Sequence, residues 1–273
     1  MIKGVKFRNN ELRSVLIVAV WVHFSFALVS CGEHELAAGN AMESLRSAMG
    51  DHALVFQRMK GGLAELKTPP LSIAREGSIL VVSVGRGQIA AFEAPMDNIN
   101  ETAYPQIGRA HAYTRWPNSG TALYALTDGR GGDDQVISVR TPPADEITMA
   151  AVEVFGSHVE DVSWKEDREP PIFWSLRRKL FSNRSMTSEP VETSGPATLI
   201  AFWWGDASSA HVKTAEPDQG FVVIDSVLEE GSLVQCAVAV KHVDQAGRYD
   251  VTWTATPIQG AQMWLVAVAD HAN

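Results

Sequence analysis

From about Ala53 to the C-terminus, the hydrophobic and polar positions of the chain follow a strand-like pattern. Short runs rich in Val, Ile, Thr, Trp and Phe are separated by Gly, Pro, Asp and Asn at intervals of roughly 8 to 12 residues, as in short strands joined by turns. This pattern predicts an all-β fold of the sandwich or barrel type.

An internal repeat is the strongest regularity in this pattern. The apolar run "SILVVSVG" at Ser78–Gly85 aligns with "TLIAFWWG" at Thr198–Gly205, and Gly132 aligns with Gly247. The offset is 120 residues for the two runs (78 to 198) and 115 for the two glycines (132 to 247). Self-similarity at a nearly constant offset predicts two copies of one β module.

The repeat and the distribution of charge together predict the domain layout. We expect a signal peptide over 1–30, a flexible tether over 31–52, a first β-sandwich over 53–163, a linker over 164–189 and a second β-sandwich over 190–273. The linker is assigned because that stretch is charged, contains proline and shows few strand signals.

The N-terminus has the composition of an export signal. Basic residues come first, at Lys3, Lys6, Arg8 and Arg13. An apolar run of about 15 to 16 residues follows, which is shorter than the roughly 20 residues that a membrane-spanning helix needs. A basic region followed by a short apolar region is typical of a signal helix that is removed after export.

The end of this segment, Leu28, Val29, Ser30 and Cys31, resembles the lipobox of bacterial lipoproteins. The resemblance implies that Cys31 carries lipid and becomes the first residue of the mature protein, which a membrane then holds through its acyl chains. Gly rather than Asp follows the cysteine, which by the same resemblance favours the outer over the inner membrane. An ordinary signal peptide or an uncleaved anchor is the alternative.

The first module resembles a β-sandwich module, immunoglobulin-like or jelly-roll, that is common in secreted bacterial proteins. The resemblance rests on three groups of residues: Asp97, Asn98, Asn100 and Tyr104; Gly131, Gly132, Asp133, Val136 and Val139; and Val152, Glu153, Val154 and Gly156. It implies two tandem sandwiches and no particular activity.

Net charge and cysteine usage exclude several classes of function. A formal net charge of −9 disfavours nucleic acid as a partner. If Cys31 carries lipid, Cys236 has no disulfide partner, and its apolar surroundings predict a buried small side chain. The sequence contains no phosphate loop, Gly-x-Ser-x-Gly elbow or His-Glu-x-x-His motif.

Acid–base chemistry has one candidate region in this sequence. Glu153, Glu160 and Asp161 lie close together in the chain, and His158 lies between them. Paired carboxylates of this kind hydrolyse glycosidic bonds. A solvated strand face explains the same pattern, so no catalytic residue is assigned.

Two further sets of residues are candidates for binding. Calcium is the one cofactor that the acidic loops suggest, with Asp97, Asn98, Asn100, Asp128, Asp133 and Asp134 as ligands. Turn chemistry favours the same residue types. Aromatic residues near strands suggest a platform for sugar rings, with Tyr113, Trp116 and Trp204 as its members, although core packing explains them as well.

Together these observations predict a lipid-anchored protein of the cell envelope that acts as a non-catalytic binding or structural module. Its expected partners are the membrane, through the lipid, and a glycan or an envelope protein. An envelope hydrolase that acts on polysaccharide is the alternative.

Overall fold

The structure is a computed structural model, and it describes residues 45–57, 64–74, 76–87, 93–140, 146–168, 182–206 and 211–271. The predicted signal peptide and Cys31 lie outside these ranges. Within them, no helix is long and apolar enough to cross a membrane. A helical turn at 45–48 precedes the first strand.

The described chain forms two sets of ten strands. The first repeat consists of β1 (Met49–Gln57), β2 (Glu65–Lys67), β3 (Leu71–Ile73), β4 (Ser78–Arg86), β5 (Met96–Asp97), β6 (Gln106–Ala112), β7 (Gly120–Leu126), β8 (Gly132–Gln135), β9 (Ile137–Arg140) and β10 (Ile147–Phe155). The second repeat consists of β11 (His158–Asp167), β12 (Arg184–Thr187), β13 (Val191–Thr193), β14 (Ala197–Gly205), β15 (Thr214–Pro217), β16 (Val222–Val227), β17 (Gln235–Val243), β18 (Gly247–Tyr249), β19 (Thr252–Thr256) and β20 (Ala261–Ala269).

Both repeats have the same strand order. In the first, the five-stranded sheet β1-β10-β4-β7-β6 accompanies the small sheets β2-β9-β5 and β3-β8. In the second, β11-β20-β14-β17-β16 accompanies β12-β19-β15 and β13-β18. The prediction of tandem β-sandwiches is confirmed. Pairing of the first strand with the last, and of the second with the ninth, is the nested order of a jelly roll, whereas immunoglobulin sheets keep strands A, B, E and D together.

The five-stranded sheets are buried on both faces, which explains the continuous apolar runs of their central strands. In β4, Leu80 and Val82 pack in the core of the first sandwich, whereas Ile79 and Val81 share a second core with Ile200 and other residues of the second repeat. A third core lies within the second sandwich. The layers therefore run from the small sheets of one repeat, through both five-stranded sheets, to the small sheets of the other.

The strand pairing corrects the alignment of the repeats by one residue. Thr148 and Gln262 are the second residues of β10 and β20, and they lie opposite Gly85 and Trp204, respectively. Gly85 is therefore equivalent to Trp204 rather than to Gly205. Because side chains alternate between the two faces of a strand, this shift of one residue in the alignment changes which side chains are expected to face the other repeat.

The second repeat begins earlier than the sequence suggests. β11 pairs with β20 and β12 pairs with β19. Residues that the sequence assigns to the end of the first sandwich and to the linker thus form strands of the second. β11 is an edge strand with many charged side chains, and charge is a normal protection of edges that obscures the strand signal.

Candidate functional site

An open cleft lies on the outer face of the first repeat, over the sheet β2-β9-β5. Its volume is about 680 Å³. The cleft is lined by Glu65, Lys67, Glu93, Ala94, Met96, Asp97, Asn98, Glu101, Val136, Ser138 and Arg140. Most of these side chains are polar or charged, so the cleft is chemically suited to a polar ligand.

Strand pairing arranges the floor of the cleft in two rows. Glu65 lies opposite Arg140 in one row. In the other row, Lys67 lies opposite Ser138, which in turn lies opposite Met96 on the next strand. Along each strand, these outward-facing residues alternate with buried ones. The small sheet therefore presents hydrogen-bond donors, hydrogen-bond acceptors and one apolar side chain to solvent.

Ion pairing and hydrogen bonding keep Glu65 ionised. The Lys67 Nζ lies 2.9 Å from the Glu65 Oε2. Hydrogen bonds from Lys67 and then from Ser138 lower the pKa of Glu65. Met96 is 39% exposed and provides an apolar contact surface within the same cleft.

Asp97 borders the cleft, but its carboxylate organises the following loop. Its Oδ1 accepts hydrogen bonds from the N–H groups of Ile99 (2.7 Å) and Asn100 (2.6 Å). Its Oδ2 accepts from the Asn100 side chain (2.9 Å) and from the Tyr104 hydroxyl (2.7 Å). Burial and the nearby Asp97 charge raise the pKa of Tyr104, which therefore keeps its proton for this bond. These hydrogen bonds give Asp97 and Asn100 a structural role in the loop.

The remaining predicted calcium positions are Asn98, Asp128, Asp133 and Asp134. The Asn98 Oδ1 accepts a hydrogen bond from the Val136 N–H at 2.7 Å, and Asp133 accepts one from the Ser72 hydroxyl at 2.7 Å. Asp134 has a positive φ of 61°, as turn residues of this type tolerate. Within the described ranges, no group of three or more His, Cys, Asp or Glu side chains is placed to hold a metal ion.

The two glutamates considered for acid–base chemistry bind backbone N–H groups in separate sheets. Glu153 is 1% exposed, and its carboxylate accepts hydrogen bonds from the N–H groups of Ala74 (2.7 Å) and Asp51 (3.1 Å). Glu160 accepts one from the Ser194 N–H at 2.7 Å. Ala74 and Ser194 directly follow β3 and β13, so both glutamates hold the same turn, one in each repeat.

The two repeats hold this turn with glutamates that come from different strands. Glu160 occupies the position equivalent to Gly50, and Glu153 the position equivalent to Ala267. A Cβ at Gly50 would overlap the Glu153 carboxylate, so glycine is needed where the carboxylate comes from β10. The predicted pair is therefore two structural carboxylates, and the structure does not bring them to one reacting bond.

Their polar neighbours in β11 also have local roles. The Asp161 Oδ2 accepts a hydrogen bond from the Glu192 N–H at 2.8 Å, as Asp51 does from the Ser72 N–H at 2.7 Å in the first repeat. His158 contacts the hydroxyl of its neighbour Ser157 at 3.0 Å.

Only one of the three predicted aromatic ligand contacts is exposed. Trp204 is fully buried, and its indole N–H donates to the Ser83 hydroxyl at 3.2 Å. Tyr113 is buried as well, and its hydroxyl donates to the Trp204 carbonyl at 3.1 Å. A buried ring cannot stack on an external sugar, so these two residues are part of the core between the repeats. Trp116 is 49% exposed.

Cys236 is fully buried in β17 with a free thiol, which confirms the prediction of a small core residue. Burial raises the pKa of this thiol, so it stays protonated and unreactive at neutral pH.

Sequence reasoning missed Glu65, Lys67 and Arg140 as site residues. The available signal was alternation, because both "ELK" and "ISVR" place an apolar residue between polar ones. Runs this short occur in many surface strands, and only the pairing of β2 with β9 shows that they share a cleft.

Neither a scan against models of known protein families nor a search of curated proteins gave a match.

Proposed function

We propose that this protein is a non-catalytic glycan-binding protein of the cell envelope, with the cleft of the first repeat as its binding site. The observation that carries the proposal is the open cleft of about 680 Å³ over β2-β9-β5, with charged side chains around an exposed methionine. Sugar hydroxyls both donate and accept hydrogen bonds, and this lining offers carboxylate acceptors beside ammonium and guanidinium donors. The Met96 side chain suits the apolar C–H face of a sugar ring.

The mixture of charges favours an uncharged polar ligand over an anionic one. The cleft holds four carboxylates, Glu65, Glu93, Asp97 and Glu101, and two cations, Lys67 and Arg140. A strongly anionic ligand would meet this excess of carboxylates, whereas sugar hydroxyls can use groups of both signs.

The envelope location rests on the sequence before Cys31. A signal of this type implies lipid on Cys31 and attachment to a membrane, with the outer membrane favoured. Labelling cells with a palmitate analogue should mark the wild-type protein and not Cys31→Ser. Equal labelling of the wild-type protein and of Cys31→Ser would contradict the lipid anchor.

A polysaccharide hydrolase is the competing function, and the two glutamates that suggested it do not support it. Hydrolysis needs two carboxylates that face one glycosidic bond. Glu153 and Glu160 instead hold backbone N–H groups in different sheets.

A glycan array probed with the full-length protein in detergent tests the proposal, followed by calorimetric titration of one glycan that binds. We expect Glu65→Gln and Arg140→Gln each to weaken binding about tenfold or more, because hydrogen bonds to charged groups are worth about 1.5–3 kcal/mol. Glu216→Gln, an exposed substitution on the small outer sheet of the second repeat, is the matched control and should bind as the wild type does.

Three results would contradict the proposal. They are an array without any bound glycan, unchanged affinity in both cleft variants, and hydrolysis of a bound glycan by the wild-type protein. The last result would favour the hydrolase.

A further inference from the structure

The loop between β6 and β7, residues 113–119, presents an exposed tryptophan on a closed turn. The Ser119 N–H donates to the Trp116 carbonyl at 2.7 Å, and the Tyr113 N–H donates to the Ser119 carbonyl at 2.8 Å. Pro117 stands at the second position of the turn, which its fixed φ favours. We call this segment the Trp116 loop.

The Trp116 loop is fastened to both repeats. The N–H and hydroxyl of Thr114 donate to the two oxygens of Glu166 in β11, at 2.7 and 2.6 Å. The Ser119 hydroxyl donates to the Gly87 carbonyl at 2.6 Å. Together with the buried Tyr113 hydroxyl, these bonds hold the base of the loop, so Trp116 projects from a preorganised support.

Exposed cations lie on the Trp116 loop and on the strands that adjoin it. The Arg115 guanidinium lies over the Trp116 ring, 5.1 Å from its centroid. Arg168 is exposed and lies 3.9 Å from Glu166, the carboxylate that Thr114 also binds. Arg109 is exposed on β6, the strand that leads into the loop. A basic patch of this kind contrasts with the net charge of −9 for the whole chain.

We propose that the Trp116 loop is a docking surface for an acidic segment of another protein, one with an aliphatic or aromatic side chain beside its carboxylates. Tryptophan and arginine are the residues that most often dominate protein–protein binding energy, and a rigid support lowers the entropy lost on binding. The basic patch complements an acidic partner and selects against basic ones.

One observation disfavours a sugar as the partner. The Arg115 guanidinium lies over one face of the ring on which a sugar would have to stack.

The test uses the full-length protein in detergent micelles and a phage-displayed library of random peptides. We expect selection of peptides with Asp or Glu next to a large apolar residue. The best peptide, synthesised and titrated, should bind Trp116→Ala at least tenfold more weakly than the wild type. Arg168→Gln should weaken it a few-fold, and added salt should weaken it further.

Leu233→Ala is the matched control, because Leu233 is 46% exposed on the equivalent loop between β16 and β17. It should leave peptide binding unchanged. Circular dichroism should show that Trp116→Ala is folded. The proposal is overturned if no peptide is enriched above background, if Trp116→Ala binds the peptide as well as the wild type does, or if phosphatidylglycerol vesicles bind through Trp116 while peptides do not.

Discussion

The two repeats share one topology, but their five-stranded sheets carry different side chains on the faces that meet each other. At two pairs of equivalent positions, the first repeat has Gly85 and Thr121, and the second has Trp204 and Cys236. A Cβ at Gly85 would overlap the Trp204 ring, and the Thr121 hydroxyl accepts a hydrogen bond from the Trp264 indole at 2.9 Å. Because protein interiors are close-packed, the two faces diverge only in complementary ways.

The outer faces differ without such a constraint. The cross-strand pair Glu65–Arg140 of the first repeat is replaced by Ser185–Thr254 in the second, whose hydroxyls lie 3.0 Å apart. All four of these residues are exposed or half-buried. The comparison teaches that the shared core restricts change, whereas the outer faces are free to take up different chemistry.

The largest expected effect comes from breaking the complementarity of the inner faces. Trp204→Ala should reduce the free energy of unfolding by about 3–5 kcal/mol, as large-to-small changes of buried aromatics do. The residues of both repeats share this core, so urea unfolding followed by circular dichroism should show one transition at lower urea. Trp116→Ala is the control and should stay within about 0.5 kcal/mol of the wild type. Separate transitions for the two repeats would show that the shared core does not couple them.

The next prediction tests whether Glu153 and Glu160 have equivalent roles in the two repeats. Glu153→Ala should cost about 1–3 kcal/mol, because the half-buried N–H groups of Ala74 and Asp51 lose the buried carboxylate that accepts their hydrogen bonds. Adding Gly50→Glu transplants the arrangement of the second repeat and should recover part of the loss. Urea denaturation of the single and double variants measures both changes. A double variant that is less stable than Glu153→Ala would refute the equivalence.

A smaller effect concerns the edge at which the repeats meet. His111 of β6 stacks on Trp164 of β11, with ring centroids 3.6 Å apart. Burial and then Arg109 lower the pKa of His111 below 6.5, and Glu166 opposes the shift. The unfolded chain therefore binds a proton more readily, and stability should fall as the pH decreases from about 6.5 through the lowered pKa. Melting temperatures measured between pH 5 and 8 should fall less steeply toward acid in His111→Phe; an identical slope would exclude His111.

The smallest effect on stability is expected on the outer face. Glu65→Ser with Arg140→Thr converts this part of the cleft into its equivalent in the second repeat. Each exposed change should alter the free energy of unfolding by about 0.5 kcal/mol or less, while glycan binding is lost. Thermal melting and the glycan titration check the two statements. A large loss of stability would mean that the cleft residues have a structural role.

Particular residues show how much of the structure could be predicted from the sequence. Alternating apolar positions and regularly spaced turns predicted two β-sandwiches, and the apolar surroundings of Cys236 predicted its burial. The sequence left a sugar platform and core packing open for Tyr113 and Trp204, and both residues are buried; an aromatic residue on a strand is compatible with either face until the register is known. Asp97 and Asn100 suggested calcium because loop-organising and metal-binding residues share the same side chains.

The sequence by itself determined the class of the fold and the duplication, since these depend on local composition and spacing, and it is the sole basis for the lipid signal proposed at Cys31. Only the tertiary structure decided that Gly85 faces Trp204, that Glu153 and Glu160 hold equivalent turns, and that residues of three short strands form one cleft. The physical reason is that strand pairing joins residues far apart in the chain, and a shift of one residue in that pairing exchanges the two faces of a sheet.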